Sequence, residues 1–255
     1  MWYYLFKYIF MGPLFTLLGR PKVEGLQHIP RSGPVILASN HLSVADSFYL
    51  PLVVRRRIWF LAKAEYFTGT GIKGWINRWF YTVSGQVPID RTNADSAQGA
   101  LDVAERLLGE GRLLGMYPEG TRSPDGRLYK GKTGLARLAL QTGVPVIPVA
   151  MIGTSTVNPP GKRMLRFGRV GVRFGKPMDF SRFDGLAGNH FIERAVIDEV
   201  MYELMGLSGQ EYVDIYAASL KNPGPGAAAV PGGSGSGEPA PAAADATRIP
   251  ETRAG

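Results

Sequence analysis

Short apolar runs recur along the first 180 residues, with more polar stretches of helical spacing between them. Runs bounded by turn residues read as strands buried on both faces; they fall at 35–39, 58–62, 86–89, 113–117, 146–151 and 170–174. Between several of them apolar positions return every three or four residues, which predicts helices over 46–54, 94–110 and 133–142. A further helix is expected over 190–205, with Phe191, Val196, Val200 and Leu204 on related faces. Strands alternating with helices predict an α/β fold: a single domain with a mostly parallel sheet flanked by helices. Sites in such sheets collect at the carboxyl ends of strands, and His41, Asp90, Arg91 and Glu119 all follow predicted strands.

The ends of the chain follow other patterns. Residues 1–19 hold no acidic residue, one charged side chain (Lys7) and the aromatics Trp2, Tyr3, Tyr4, Phe6, Tyr8, Phe10 and Phe15. A membrane span needs about 20 apolar residues, and this run is barely that long, with Gly12-Pro13 in its middle. An interfacial, membrane-associating helical segment is expected, against a short span or a helix packed on the domain. The basic flank and small-residue site of a cleaved signal peptide are missing. Residues 66–81, with Phe67, Ile72, Trp75, Ile76, Trp79 and Phe80 among Lys73 and Arg78, read as a second membrane-facing helix or as a core helix. After Pro223 the chain is mainly Ala, Pro, Gly and Ser, which cannot offset the entropy of ordering. The expected organisation is a membrane-associating segment over 1–19, a folded domain over 20–218 and a disordered tail over 219–255.

Charge narrows the partners. The formal charge is +8, and the tail adds nothing because Lys221, Arg248 and Arg253 balance Glu238, Asp245 and Glu251. A basic domain binds nucleic acid or anionic lipid. No zinc-finger, RRM or KH signature is present, so no nucleic-acid partner is expected. Arg55-Arg56-Arg57 and the cluster Lys162, Arg163, Arg166, Arg169, Arg173 and Lys176 read as facing an anionic membrane surface, or as solvated basic faces.

The absence of cysteine excludes disulfides, thiolate metal sites and cysteine nucleophiles. Neither His28 nor His190 has ligand-like spacing to His41, and no metal is expected. Without a G-x-S-x-G elbow, a serine acyl-enzyme is not expected either. Two nucleotide-binding strings occur, Gly126 to Thr133 and Gly69 to Gly74, but neither leaves an apolar strand as phosphate binding requires.

The chemistry lies in Asn40-His41-Leu42-Ser43-Val44-Ala45-Asp46. Neutral imidazole can take a proton from an alcohol attacking a carbonyl, and a carboxylate on the other ring nitrogen fixes the tautomer. Five residues along a regular helix turn a side chain by about 140°, so the two could meet only at a strand-to-helix corner. Ser43-x-x-Asp46 also fits a capping box, which would give Asp46 a purely structural task.

These residues resemble the first of four ordered blocks in the glycerolipid acyltransferases typified by 1-acylglycerol-3-phosphate acyltransferase. Gly85 to Arg91 is similar to the second block, Tyr117-Pro118-Glu119-Gly120-Thr121-Arg122-Ser123 to the third, and Val146-Ile147-Pro148-Val149 to the fourth. Pro88 and Tyr117 stand where the family commonly carries phenylalanine. The resemblance implies a glycerol-3-phosphate acyltransferase-like fold and direct acyl transfer from acyl-CoA or acyl carrier protein to a lysophospholipid hydroxyl, without a cofactor. It implies His41 as the base with Asp46 as its partner, and an acceptor phosphate site shaped by Arg91, Glu119, Gly120, Thr121 and Arg122. It also implies work at the cytoplasmic face of the cell membrane, peripheral or monotopic. Arginine grips phosphate bidentately and glycine allows close approach; on the residues alone, Arg91 and Arg122 could equally form surface ion pairs. Glu119 would repel phosphate, so it is expected to hold an arginine or the glycerol moiety. Lys132, in the loop after the third block, could reach the phosphate or simply be solvated.

Overall fold

Among the described residues seven strands form one sheet: β1 (Lys22–Glu24), β2 (Val35–Ser39), β3 (Ile58–Lys63), β4 (Gln86–Ile89), β5 (Leu113–Met116), β7 (Val146–Ile152) and β8 (Gly171–Phe174), in the order β1-β8-β7-β2-β5-β3-β4. The computed structural model describes residues 2–83, 85–89, 94–159 and 165–221, which fall in one unit, Met1–Asn222. Only the β7–β8 pairing is antiparallel, so the sheet is mostly parallel as expected. A separate pair joins β6 (Leu128–Tyr129) to β9 (Tyr212–Val213).

Both faces of the sheet are covered, which explains why the central strands read as unbroken apolar runs. Val35 and Leu37 face a core shared with α2 (Gly12–Gly19) and α3 (Asp46–Val53). Ile36 and Ala38 face the other core, shared with α5 (Ala94–Gly109), α6 (Gly134–Thr142) and α8 (His190–Ser208). Two strand prolines are tolerated for local reasons. Pro88 lies on the edge strand β4. Pro148 lies on internal β7, but the β8 ladder starts only at Val149, so the missing N–H falls beyond that pairing.

Residues 2–19 form α1 (Trp2–Leu5), a π-helical turn (Phe6–Met11) and α2. Pro13 has no N–H for the helical ladder, and the helix passes it through the widened turn instead of ending there. The helix expected over 66–81 begins instead at Gly71, as α4 (Gly71–Val83), after a 3-10 turn at Ala64–Tyr66. Gly71 has φ +68°, and a Cβ on Gly74 would lie 1.8 Å from the Gly69 carbonyl oxygen, so this glycine cluster folds back on itself before the helix can start. Two short helices complete the described residues: α7 (Thr154–Val157) and α9 (Ala217–Lys221). Helix α9 runs to Lys221, with Ala217 buried. The tail from 222 onward lies outside the described residues.

Candidate active site

Strands β2 and β5 are neighbours, with Ala38 paired to Met116. The chain leaves β2 through α3 on one face and leaves β5 through α6 on the other. Their carboxyl ends therefore open a crevice at a topological switch point. His41 lies three residues past Ala38, and the stretch from Tyr117 to Ser123 leaves β5 directly beside it.

The chain turns between His41 and Asp46 and lets the five-residue spacing close. Nδ1 of His41 is 2.8 Å from Oδ2 of Asp46, which is fully buried at the start of α3. The same oxygen accepts the amides of Leu42 at 2.7 Å and Ser43 at 2.8 Å, while Ser43 Oγ accepts the Ala45 amide at 2.9 Å. Asp46 thus folds back to the Ser43 amide as a capping-box carboxylate does, and orients the imidazole as well. An ionised carboxylate only accepts, so Nδ1 carries the proton and Nε2 holds the lone pair. The ring is 16% exposed.

Residues around the pair fix the imidazole further. Tyr117 stacks on it with centroids 3.9 Å apart and planes at 12°, and Phe60 stacks beyond Tyr117 at 5.8 Å. The Tyr117 hydroxyl shares a hydrogen bond with Ser47 Oγ at 3.0 Å. Burial, reinforced by the Asp46 charge, pushes the phenol's pKa far up, so it remains neutral. Glu119 Oε1 accepts the His41 amide at 3.1 Å and Oε2 accepts the Tyr129 amide at 3.0 Å. Ser123 donates its amide to the His41 carbonyl at 2.7 Å.

Gly120 is exposed with φ +70°, and a Cβ there would meet the Lys132 side chain, at 3.0 Å from Cε and 3.2 Å from Nζ. The Lys132 amine therefore passes over the Gly120 backbone. Thr121 is half-buried and Arg122 exposed in the same loop. Arg91 and Asp90 lie outside the described residues. The string Gly126 to Thr133 contains β6 and is no phosphate loop, since its strand lies inside the glycine pattern instead of before it. Among the described residues no group of three His, Asp or Glu could hold a metal ion.

Two features escaped the sequence reading. Thr154, at the start of α7, donates its hydroxyl to Asp46 Oδ1. Asn40 clamps the end of β7: its side chain donates to the Met151 carbonyl at 3.0 Å and accepts the Met151 amide at 2.7 Å. Its place at the head of the first block was the only signal for Asn40, and Thr154 lies past the end of the fourth block.

Residues 20–152, just over half of the chain, match the family model described as acyltransferase. The chain belongs to that family. It is 36% identical over 166 residues to the chloroplast 1-acyl-sn-glycerol-3-phosphate acyltransferase of Arabidopsis thaliana, covering 64% of this chain and 45% of that protein. The alpha form of 1-acyl-sn-glycerol-3-phosphate acyltransferase from Bos taurus is 30% identical over 162 residues, covering 62% and 54%. The chain thus spans about half the length of these curated relatives. The crystal structure of the 1-acyl-sn-glycerophosphate acyltransferase PlsC from Thermotoga maritima superposes with a TM-score of 0.58 at 27% identity, covering 79% of each chain. The matches agree with the four-block resemblance, and the family they show for this chain is the acyltransferase family.

Proposed function

We propose that the protein transfers a fatty acyl group from acyl-CoA or acyl carrier protein to the free hydroxyl of 1-acylglycerol 3-phosphate, giving phosphatidic acid. The observation that carries this reading is the 2.8 Å contact between His41 Nδ1 and buried Asp46, which leaves Nε2 as the base. Nε2 takes the hydroxyl proton as the oxygen attacks the thioester carbonyl; the new C–O bond forms, the C–S bond breaks, and the imidazolium returns the proton to the leaving thiolate. Gly120, Thr121, Arg122 and Lys132, with Arg91, hold the acceptor phosphate, so that attack becomes effectively unimolecular.

The reading includes docking on an anionic membrane at its cytoplasmic face. Tyr3, Phe15 and Leu18 are buried against the domain, while Tyr4, Tyr8, Ile9, Leu14 and Leu17 of the same segment stay exposed. Phe167 is 74% exposed between the exposed Arg166 and Arg169, and Gly168 ties that loop to the Leu18 carbonyl at 2.9 Å. Exposed Ile72, Trp75 and Trp79 of α4 add apolar surface. Among the described residues no helix is long and apolar enough to cross a membrane, which favours docking over spanning. Three arginines of the basic clusters have partners within the fold. Arg56 donates to the carbonyls of Pro30, Gly33 and Gly111, Arg57 covers the Trp59 ring at 4.0 Å, and Arg173 pairs with Glu24 at 3.0 Å. Lys162 and Arg163 lie outside the described residues.

The test is thiol release from palmitoyl-CoA in mild detergent, with and without lysophosphatidic acid, followed with a thiol-reactive dye to which a cysteine-free protein is silent. Release that needs the acceptor and vanishes in His41→Ala is expected. Acceptor-independent release would make the protein a thioesterase, and full activity in His41→Ala would remove the base assignment. A parallel panel of glycerol 3-phosphate, other lysophospholipids and glycolipids identifies the acceptor.

A further inference from the structure

We propose that Thr154 is a positioning residue for the His41–Asp46 pair, holding the carboxylate in the rotation that presents one oxygen to the imidazole. The inference rests on the reading of His41 as the base. Asp46 is fully buried and its two oxygens are used differently. Oδ2 accepts His41 Nδ1 and the amides of Leu42 and Ser43, whereas Oδ1 accepts the Thr154 hydroxyl. The three Oδ2 donors all come from the loop that carries the histidine, so they move with it. Thr154 comes from another strand's end and gives the carboxylate an anchor that does not share the loop's motion.

The fold specifies that anchor. Asn40, the residue before the histidine, binds both main-chain groups of Met151 and aligns the end of β7 with the end of β2. Gly153 then turns the chain with φ +72°, in a space where a Cβ would lie 2.3 Å from the Arg169 carbonyl oxygen. That turn brings Thr154 against Asp46 with no surface exposed. Serving a surface-turn role would not require a threonine buried this completely, with its hydroxyl on the one carboxylate that orients the imidazole. Without that donor the buried carboxylate would concentrate charge on Oδ2 and hold the Nδ1 proton more strongly, favouring imidazolium. Two other groups face the pair: Tyr117, a phenol that burial keeps neutral, and Glu119, which accepts the His41 amide.

The experiment compares Thr154→Val, Thr154→Ala and Thr154→Ser in the full chain, reading acceptor-dependent thiol release from palmitoyl-CoA across pH 5.5–9. Both hydroxyl-free variants should lose kcat by about tenfold to a hundredfold, with KM for acceptor and thioester within about twofold, because the lost group acts on the base and not on binding. Their acid limb should move to higher pH, and Thr154→Ser should restore both rate and limb. NMR titration of imidazole resonances gives a readout without turnover. With three histidines in the chain, the His41 signal is the one missing in His41→Ala, and its midpoint should rise in Thr154→Val or Thr154→Ala. Wild-type kcat and an unmoved limb in both hydroxyl-free variants would overturn the proposal, as would a serine variant as impaired as alanine. An active His41→Ala enzyme would instead sink the underlying base assignment. If Thr154→Val does not fold, Thr154→Ala set against Thr154→Ser still isolates the hydroxyl.

Discussion

Glu119 holds His41 by its main chain, its Oε1 accepting the histidine amide at 3.1 Å. The partner expected for this carboxylate was an arginine or the glycerol moiety, and the amides of His41 and Tyr129 are the part that expectation missed. A buried carboxylate that accepts main-chain N–H groups makes the third block a support for the first. Glu119→Gln offers an NH2 where one of those amides needs an acceptor. It should destabilise the fold by about 1–3 kcal/mol and lower kcat together. Thermal unfolding and steady-state kinetics check this: a raised acceptor KM with an unchanged melting point would show a role confined to substrate.

Asp46→Asn should nearly abolish turnover while the protein still folds. The amide side chain can present NH2 to Nδ1 and so select the wrong tautomer, a change that costs about 10⁴-fold in the serine-protease triad. Circular dichroism should remain close to wild type, while acceptor-dependent thiol release should fall by about a thousandfold or more. Activity within tenfold of wild type would mean that Asp46 serves the turn alone.

Tyr117 separates stacking from hydrogen bonding. Tyr117→Phe, the residue common in the family at this position, keeps the ring over His41 and loses only the 3.0 Å bond to Ser47. A neutral bond of that kind is worth about 0.5–1.5 kcal/mol, so activity should stay within about tenfold. Ser47→Ala should match it, and the double variant should be no worse than either single one, since both remove the same interaction. Tyr117→Ala, which also removes the stack, should cost more. Additive losses in the Tyr117→Phe/Ser47→Ala cycle would show that the bond does not couple them.

The strands were legible because burial on both faces forces unbroken apolar runs, as at Val35 to Ala38, all without exposed surface. Helices α5 and α6 were legible through their amphipathic patterns, and the His41–Asp46 corner through residue types that chemistry restricts. Strand order was not: nothing local tells β5 to insert between β2 and β3, the arrangement that sets the third block beside the first. The pairs β6 and β9, two residues each, exist only through tertiary pairing and leave no periodicity to read. Thr154 and the main-chain grip of Glu119 were invisible because a hydrogen bond to a neighbouring segment imposes no spacing in sequence.

Lys7 gives the docked amino-terminal segment a pH signature. It is 5% exposed and donates Nζ to the Val54 carbonyl, and burial lowers its pKa to about 8. Below pH 8 the amine is protonated in both folded and unfolded chains, and the fold bears the full cost of a buried cation. Between pH 8 and about 10.4, the value for an unfolded lysine, the folded amine has released a proton that the unfolded chain still binds. The unfolded state then carries more protons, so this group makes stability rise with pH across that window. Above pH 10 the buried phenols of Tyr3 and Tyr49, both pushed up to about 12, act in the opposite sense, which confines a clean measurement to lower pH. Lys7→Met removes the titration along with the bond to Val54. The melting-point difference, wild type minus Lys7→Met, measured in one detergent without vesicles, should climb between pH 7 and 9.5. A flat difference would mean that the amine stays solvated and that the segment is not closed over it.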